Sequence, residues 1–138
     1  MIFLEWTEAN AVHVPELDEQ HKKLFAIVNE LHEAVSRGQG ADMVGHSLEQ
    51  LIDYTCYHFE TEEGLLREAH YPLFFNHQEQ HDRLKRQVLE LQGKFQKGNF
   101  AISLPTLNML RDWLMHHTTG TDRKYTPYLQ KDLTDFTD

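Results

Sequence analysis

Apolar side chains recur along this chain at intervals of three and four rather than two, the period of helices that bury one face. Helix-breaking residues at Pro15, Gly38 to Gly40, Pro72, Gly98-Asn99 and Pro105 divide the pattern into four stretches. In the first, Leu17, Leu24, Val28, Leu31 and Val35 fall on one line once His21 is included. The second carries Leu48, Leu51, Thr55, His58, Glu62 and Leu65. The third carries Phe74, His77, His81, Leu84, Val88, Leu91 and Phe95, and the fourth Leu107, Leu110, Leu114 and His117. Seams of this spacing belong to helices packed at a shallow angle. Short connections make consecutive helices antiparallel, so the pattern predicts an all-α fold. Its form is an up-down-up-down antiparallel four-helix bundle with an N-terminal loop segment and a short C-terminal extension. No repeat, linker or low-complexity tract interrupts it, and residues 1–138 are expected to form a single domain.

The seams are not wholly apolar. His21, His58, Glu62, His77, His81 and His117 occupy core positions, where an imidazole or carboxylate without partners carries a heavy desolvation cost. His21, His77 and His81 lie near helix starts; His58, Glu62 and His117 lie near helix ends. An antiparallel bundle brings those places to one end of the molecule, so the six side chains should converge in one layer. His58 and Glu62 are four residues apart, as are His77 and His81, so each pair presents ligands from adjacent turns of one face. Asp122 follows His117 by five residues, which on a regular helix turns it about 140° away. Gly120 between them is expected to let the backbone unwind and swing Asp122 inward. The layer then holds five imidazoles and two carboxylates.

Composition narrows what such a layer can do. The chain has 10 histidines in 138 residues and one cysteine, Cys56, so neither a thiolate metal site nor an internal disulfide is available. Seven ligands exceed what a tetrahedral zinc takes, and calcium favours an all-oxygen shell. Mixed imidazole and carboxylate donors suit two iron or manganese ions bridged by carboxylates, roughly 3.5–4 Å apart. A net charge of −9, from 13 Lys and Arg against 22 Asp and Glu, argues against nucleic-acid or anionic-membrane partners. Mean hydropathy of −0.60 and the lack of a long apolar run exclude a membrane-spanning helix. The start, Met1 to Glu5, is too short and acidic for a signal peptide, and a lone cysteine fits a cytoplasmic location. No feature identifies a protein partner.

The layer's residues also carry a resemblance. Trp6, the run Leu17-Asp18-Glu19-Gln20-His21-Lys22, the run His58-Phe59-Glu60-Thr61-Glu62-Glu63, and Tyr71-Pro72 ahead of His77 and His81 are similar to the bacterial hemerythrins. Trp113-Leu114 ahead of His117, and Asp122-Arg123-Lys124-Tyr125, extend the likeness over nearly the whole chain. The resemblance implies an oxygen-binding protein with an oxo- or hydroxo-bridged centre of two Fe ions. One iron would take His77, His81 and His117, the other only His21 and His58, with Glu62 and Asp122 bridging. The second iron would keep one position open for reversible binding of O2, in a pocket formed by Leu24, Leu114 and Thr118. The role implied is binding and transport for storage, delivery or sensing, not catalysis.

Two departures from the family stand out. Thr118 follows the fourth-helix histidine where the family commonly has isoleucine; its hydroxyl would either admit water to the O2 pocket or bond its own helix backbone. Leu65-Leu66 stand near where the family often has methionine, a modest apolar exchange. His13, His32, His46, His70 and His116 fall off the layer, and Cys56 is turned about 200° from His58. The competing reading is a di-iron oxidase or a peroxide or nitric oxide scavenging enzyme on the same bundle. Ferritin-like sites use a Glu-x-x-His spacing, which this chain lacks, and five imidazoles exceed their need. A sensory module is the third reading, and no signalling segment supports it.

Overall fold

A computed structural model describes residues 3–98 and 102–129 of the chain. Its order is a 3-10 turn at Glu8–Asn10, then α1 (Pro15–Ser36), α2 (Ala41–Glu68), α3 (Phe74–Gln96) and α4 (Leu104–His116). A π-helical turn, His117–Thr121, and a 3-10 turn, Asp122–Tyr125, continue α4. The described residues contain no strand, and no helix among them is long and apolar enough to cross a membrane. The four-helix expectation holds.

The boundaries follow local chemistry. Pro15 opens α1 where its missing N–H costs nothing, and Ser103 caps α4 by accepting from the Thr106 N–H. Gly98, at φ +97°, ends α3 in a left-handed conformation that few other residues adopt. α1 packs on α2, α2 on α3, and α4 against α1. The seam residues Leu17, Leu24, Val28, Leu48, Leu51, Leu84, Val88, Leu107 and Leu110 are all buried.

The buried apolar residues form two clusters rather than one. The larger runs through Leu24, Val28, Leu31, Leu48, Leu84, Leu107 and Leu114. The smaller joins Val12, Val14, Leu17, Leu66, Tyr71, Tyr125 and Leu129. Leu17 lies one turn before His21 and Leu66 one turn after Glu62, so the polar layer is held between the two.

The N-terminal segment packs on both clusters, Leu4 on the larger and Val12 and Val14 on the smaller. Asn29 bonds both backbone groups of Leu4 at 2.8 Å, and Asp18 accepts from the Val12 N–H at 2.7 Å. Arg123 donates to the Ala11 carbonyl and Thr126 to that of Val12, tying the segment to the chain beyond α4.

Candidate metal centre

Each of the seven polar residues arrives from a different turn of the bundle and points to one place. His21 comes from α1, His58 and Glu62 from α2, His77 and His81 from α3, His117 from the end of α4, and Asp122 from the turn after it. All seven are buried, Glu62, His81 and Asp122 completely. Their donor atoms fall into two groups, Glu62, His77, His81, His117 and Asp122 in one, His21, His58 and Glu62 in the other, with the atoms of each group within 4.8 Å of one another.

The carboxylates stand between the two sets of imidazoles. Glu62 Oε2 lies 3.2 Å from Nε2 of both His21 and His58. Its other oxygen faces Nε2 of His77 at 2.5 Å and of His81 at 3.1 Å. Asp122 divides in the same way, with Oδ2 3.2 Å from His21 and Oδ1 2.8 Å from His117 and 3.1 Å from His77. Three imidazoles therefore stand on one side and two on the other. Both Asp122 oxygens are buried without a well-aligned hydrogen-bond donor among the described residues. A carboxylate in that condition is stabilised by cations placed between it and the Nε2 atoms, so the residues present fit a two-metal group.

Asp122 reaches the layer by a route other than the expected unwinding. The π turn carries one extra residue, and the Asp122 N–H bonds the His117 carbonyl, five residues back. Residues five apart then occupy the places that residues four apart hold in a regular helix. Gly120 has no positive φ and an added Cβ would meet nothing within 4 Å, so glycine is not the device. Thr118 and Thr119 hydroxyls bond the Leu114 and Met115 carbonyls at 2.7 and 2.6 Å, holding the groups that a disturbed helix exposes.

Supporting contacts set the rings. His58 Nδ1–H donates to Gln20 Oε1 at 2.7 Å and His81 Nδ1–H to Glu63 Oε2 at 2.9 Å, which leaves each Nε2 lone pair facing the centre. Gln78 holds the other Glu63 oxygen at 2.9 Å, and the Tyr125 hydroxyl donates to Glu62 Oε2 at 3.0 Å. Phe59 stacks on His81 at 3.7 Å and Trp113 on His117 at 4.2 Å. Gln20, Glu63 and Tyr125 have no role in the sequence reading. Their signal was adjacency to a ligand within the runs quoted above, which does not separate a partner from a solvated neighbour.

Burial pushes every imidazole toward neutrality, and the carboxylates decide which yields. At His21 burial is outweighed by Asp122 and Glu62, which hold its pKa at about 10. His77 is held at about 9 against the same burial by the same two groups, and His81 is raised by Glu62 and Glu63. At His58 and His117 burial prevails and the pKa falls. Glu62 is held well below the carboxylate range despite burial, chiefly by His58, His21 and His77, and Asp122 is lowered by His117 and His21.

Leu24 and Leu114 line a small cavity on the side of the layer facing the larger cluster. Thr118 is not part of that lining. Its hydroxyl bonds the Leu114 carbonyl and accepts from the Asn10 amide at 3.0 Å, so of the two fates open to it the backbone bond is the one adopted. His13, His46, His70 and His116 are exposed, and His32 stacks on Phe3 at 4.0 Å; none joins either group. Cys56 is exposed.

Comparison with known proteins places this geometry. The family described as the hemerythrin HHE cation binding domain matches residues 12–129. A bacteriohemerythrin of Methylococcus capsulatus is 35% identical over 130 residues, 94% of this chain and 98% of the relative. One of Stenotrophomonas maltophilia is 33% identical over 136 residues, 99% of this chain and 88% of the relative. The crystal structure of a wild-type hemerythrin, 35% identical, superposes with a TM-score of 0.87 over 92% of this chain and 98% of its own.

Proposed function

Because the chain belongs to the hemerythrin family, we propose that it binds O2 reversibly at a non-haem centre of two iron ions and acts as a carrier rather than an enzyme. The observation that carries this reading is the division of both carboxylates between three imidazoles on one side and two on the other. In it His77, His81 and His117 would hold one iron, His21 and His58 the other, and Glu62 and Asp122, which face both sets, would serve the two together. Ferrous iron, when bound there, would supply the O2-binding chemistry, and the side with two imidazoles offers it fewer protein ligands.

The chain's own residues do the rest. Gln20 and Glu63 fix the tautomers of His58 and His81, so that in each neutral ring the proton sits on Nδ1 and the Nε2 lone pair faces the centre. The Tyr125 hydroxyl, its pKa raised well above the usual range by burial and the two carboxylates, keeps its proton and donates it to the Glu62 bridge. Leu24 and Leu114 keep the adjoining space apolar, which withholds the water and protons that would strand the metal in its ferric state.

Anaerobic reduction followed by air, watched by visible absorption, tests the proposal. A colour that appears in air and bleaches when O2 is withdrawn, through several cycles, is expected. A single colouring that leaves ferric protein would turn the reading toward an oxidase, and no colour at all would end it.

A further inference from the structure

Two small cavities share lining residues, an inner one among all four helices and an outer one in the α2–α3 seam. The inner one is lined by Leu24, Phe59, Leu84 and Leu114, each within one turn of a candidate ligand, and by Thr55 and Val88. The outer one is lined by the same Thr55 and Val88, and by Cys56, Lys85 and Leu89. Cys56 is exposed and Leu89 is 49% exposed, so the outer cavity opens on the surface. Thr55 and Val88 are each 3% exposed and line both cavities. Each cavity offers about 10 Å³ for the centre of a water-sized molecule, room for one diatomic gas molecule. An almost wholly apolar lining gives water too few partners to stay.

We propose that O2 reaches the centre through this passage, entering beside Cys56 and Leu89, crossing between Thr55 and Val88, and pausing in the inner cavity. The inference rests on the O2-binding reading above. Leu24 and Thr55 lie three residues from His21 and His58, and Leu84 and Leu114 three residues from His81 and His117. The passage therefore ends at the layer between the two sets of imidazoles and reaches the two-imidazole side, where the open position is needed. A wider groove between α3 and α4, lined by Gln80, Gln87, Trp113, His116 and His117, is the rival route. It meets the face of Trp113 stacked on His117, on the side with three imidazoles.

Stopped-flow measurement of O2 association and dissociation on the reduced, iron-loaded chain tests the route. Val88→Trp should slow both rates about tenfold and leave Kd unchanged, because a plug raises one barrier equally in both directions. Tryptophan overfills a packed seam, so a second block is needed that spares the core. Alkylation of the exposed Cys56 with a bulky maleimide supplies it, and Cys56→Ser treated alike should show no slowing. Gln87→Trp, which fills the rival groove, should leave both rates as they are. Crystals of the wild type under xenon should hold one atom among Leu24, Leu84 and Leu114 whether or not iron is bound. An empty cavity under xenon, unchanged rates in both blocked forms, or slowing by Gln87→Trp instead, each overturns the passage. A wild type that takes up no O2 overturns the function on which the passage rests, a result distinct from a wild type that binds O2 beside blocked forms that bind it equally fast.

Discussion

At the scale of single residues, position between or beside the two sets of imidazoles decides what a side chain is worth. Glu62 touches both sets of imidazoles, whereas His21 serves one. Reconstituted with excess ferrous iron, the wild type should hold two irons per chain. Glu62→Ala should disturb both positions and His21→Ala chiefly one, measured as metal per folded chain. A wild type that never exceeds one iron would defeat the bridging role. Gln20 and Glu63 touch the proposed ligands His58 and His81, and their loss should act on affinity. Gln20→Leu and Glu63→Gln should weaken metal retention by about 10–100-fold in competition with a chelator while helical content stays intact. Affinities equal to wild type would show that packing alone, through contacts such as Phe59 on His81, orients the rings. The family resemblance puts Thr118 in the O2 pocket and leaves open a bond to its own helix backbone. Its hydroxyl is engaged by Asn10, a partner 108 residues away that no local pattern reveals.

At the scale of elements, the four helices and their buried faces were legible because the 3-4 period runs through polar and apolar seam positions alike. His21, His58, His77, His81 and His117 were found as interruptions of core seams, a signal that needs only the period and the antiparallel return. The π turn was not legible. One inserted residue over His117–Thr121 is too short to shift a period, and Gly120 offered a plausible but different explanation. The run Thr118-Thr119-Gly120-Thr121 was the available clue, since threonine hydroxyls can hold the carbonyls that a disturbed helix frees. If glycine supplied the geometry, Gly120→Ala would cost both metal and stability. Since its φ is not positive and the added Cβ meets open space, Gly120→Ala should retain full metal content and gain up to about 1 kcal/mol. Deleting Thr119 should instead restore a regular helix, turn Asp122 off the layer and lower metal content, read by metal analysis beside thermal melting. A Gly120→Ala protein short of metal would reinstate glycine as the hinge.

At the scale of the whole molecule, a layer of five imidazoles and two carboxylates between two apolar clusters links folding, protons and metal. Without metal, His21 and His77 keep protons at pKa values of about 10 and 9, against about 6.5 in the unfolded chain. Groups raised in this way contribute stability that is complete below about 6.5 and lost as pH climbs through 9 and 10. His58 and His117 work in the other direction: lowered by burial, they cost stability as pH falls below about 6.5. Glu62 and Asp122, both depressed, add a loss that begins in acid near their unfolded values of about 4. The metal-free chain should therefore be most stable near neutrality and its Tm should fall between pH 7.5 and 10.5. Metal replaces those protons between the carboxylates and the Nε2 atoms, so the loaded chain should melt higher and lose the alkaline slope. Loading at pH 8 should also release at least two protons, among them one each from His21 and His77, by calorimetry in buffers of different ionisation enthalpy. Competition between protons and metal thus begins above neutrality, not only near the ordinary histidine range. Equal alkaline slopes with and without metal, together with no proton release at pH 8, would mean that the carboxylates do not hold charged imidazoles in the metal-free fold.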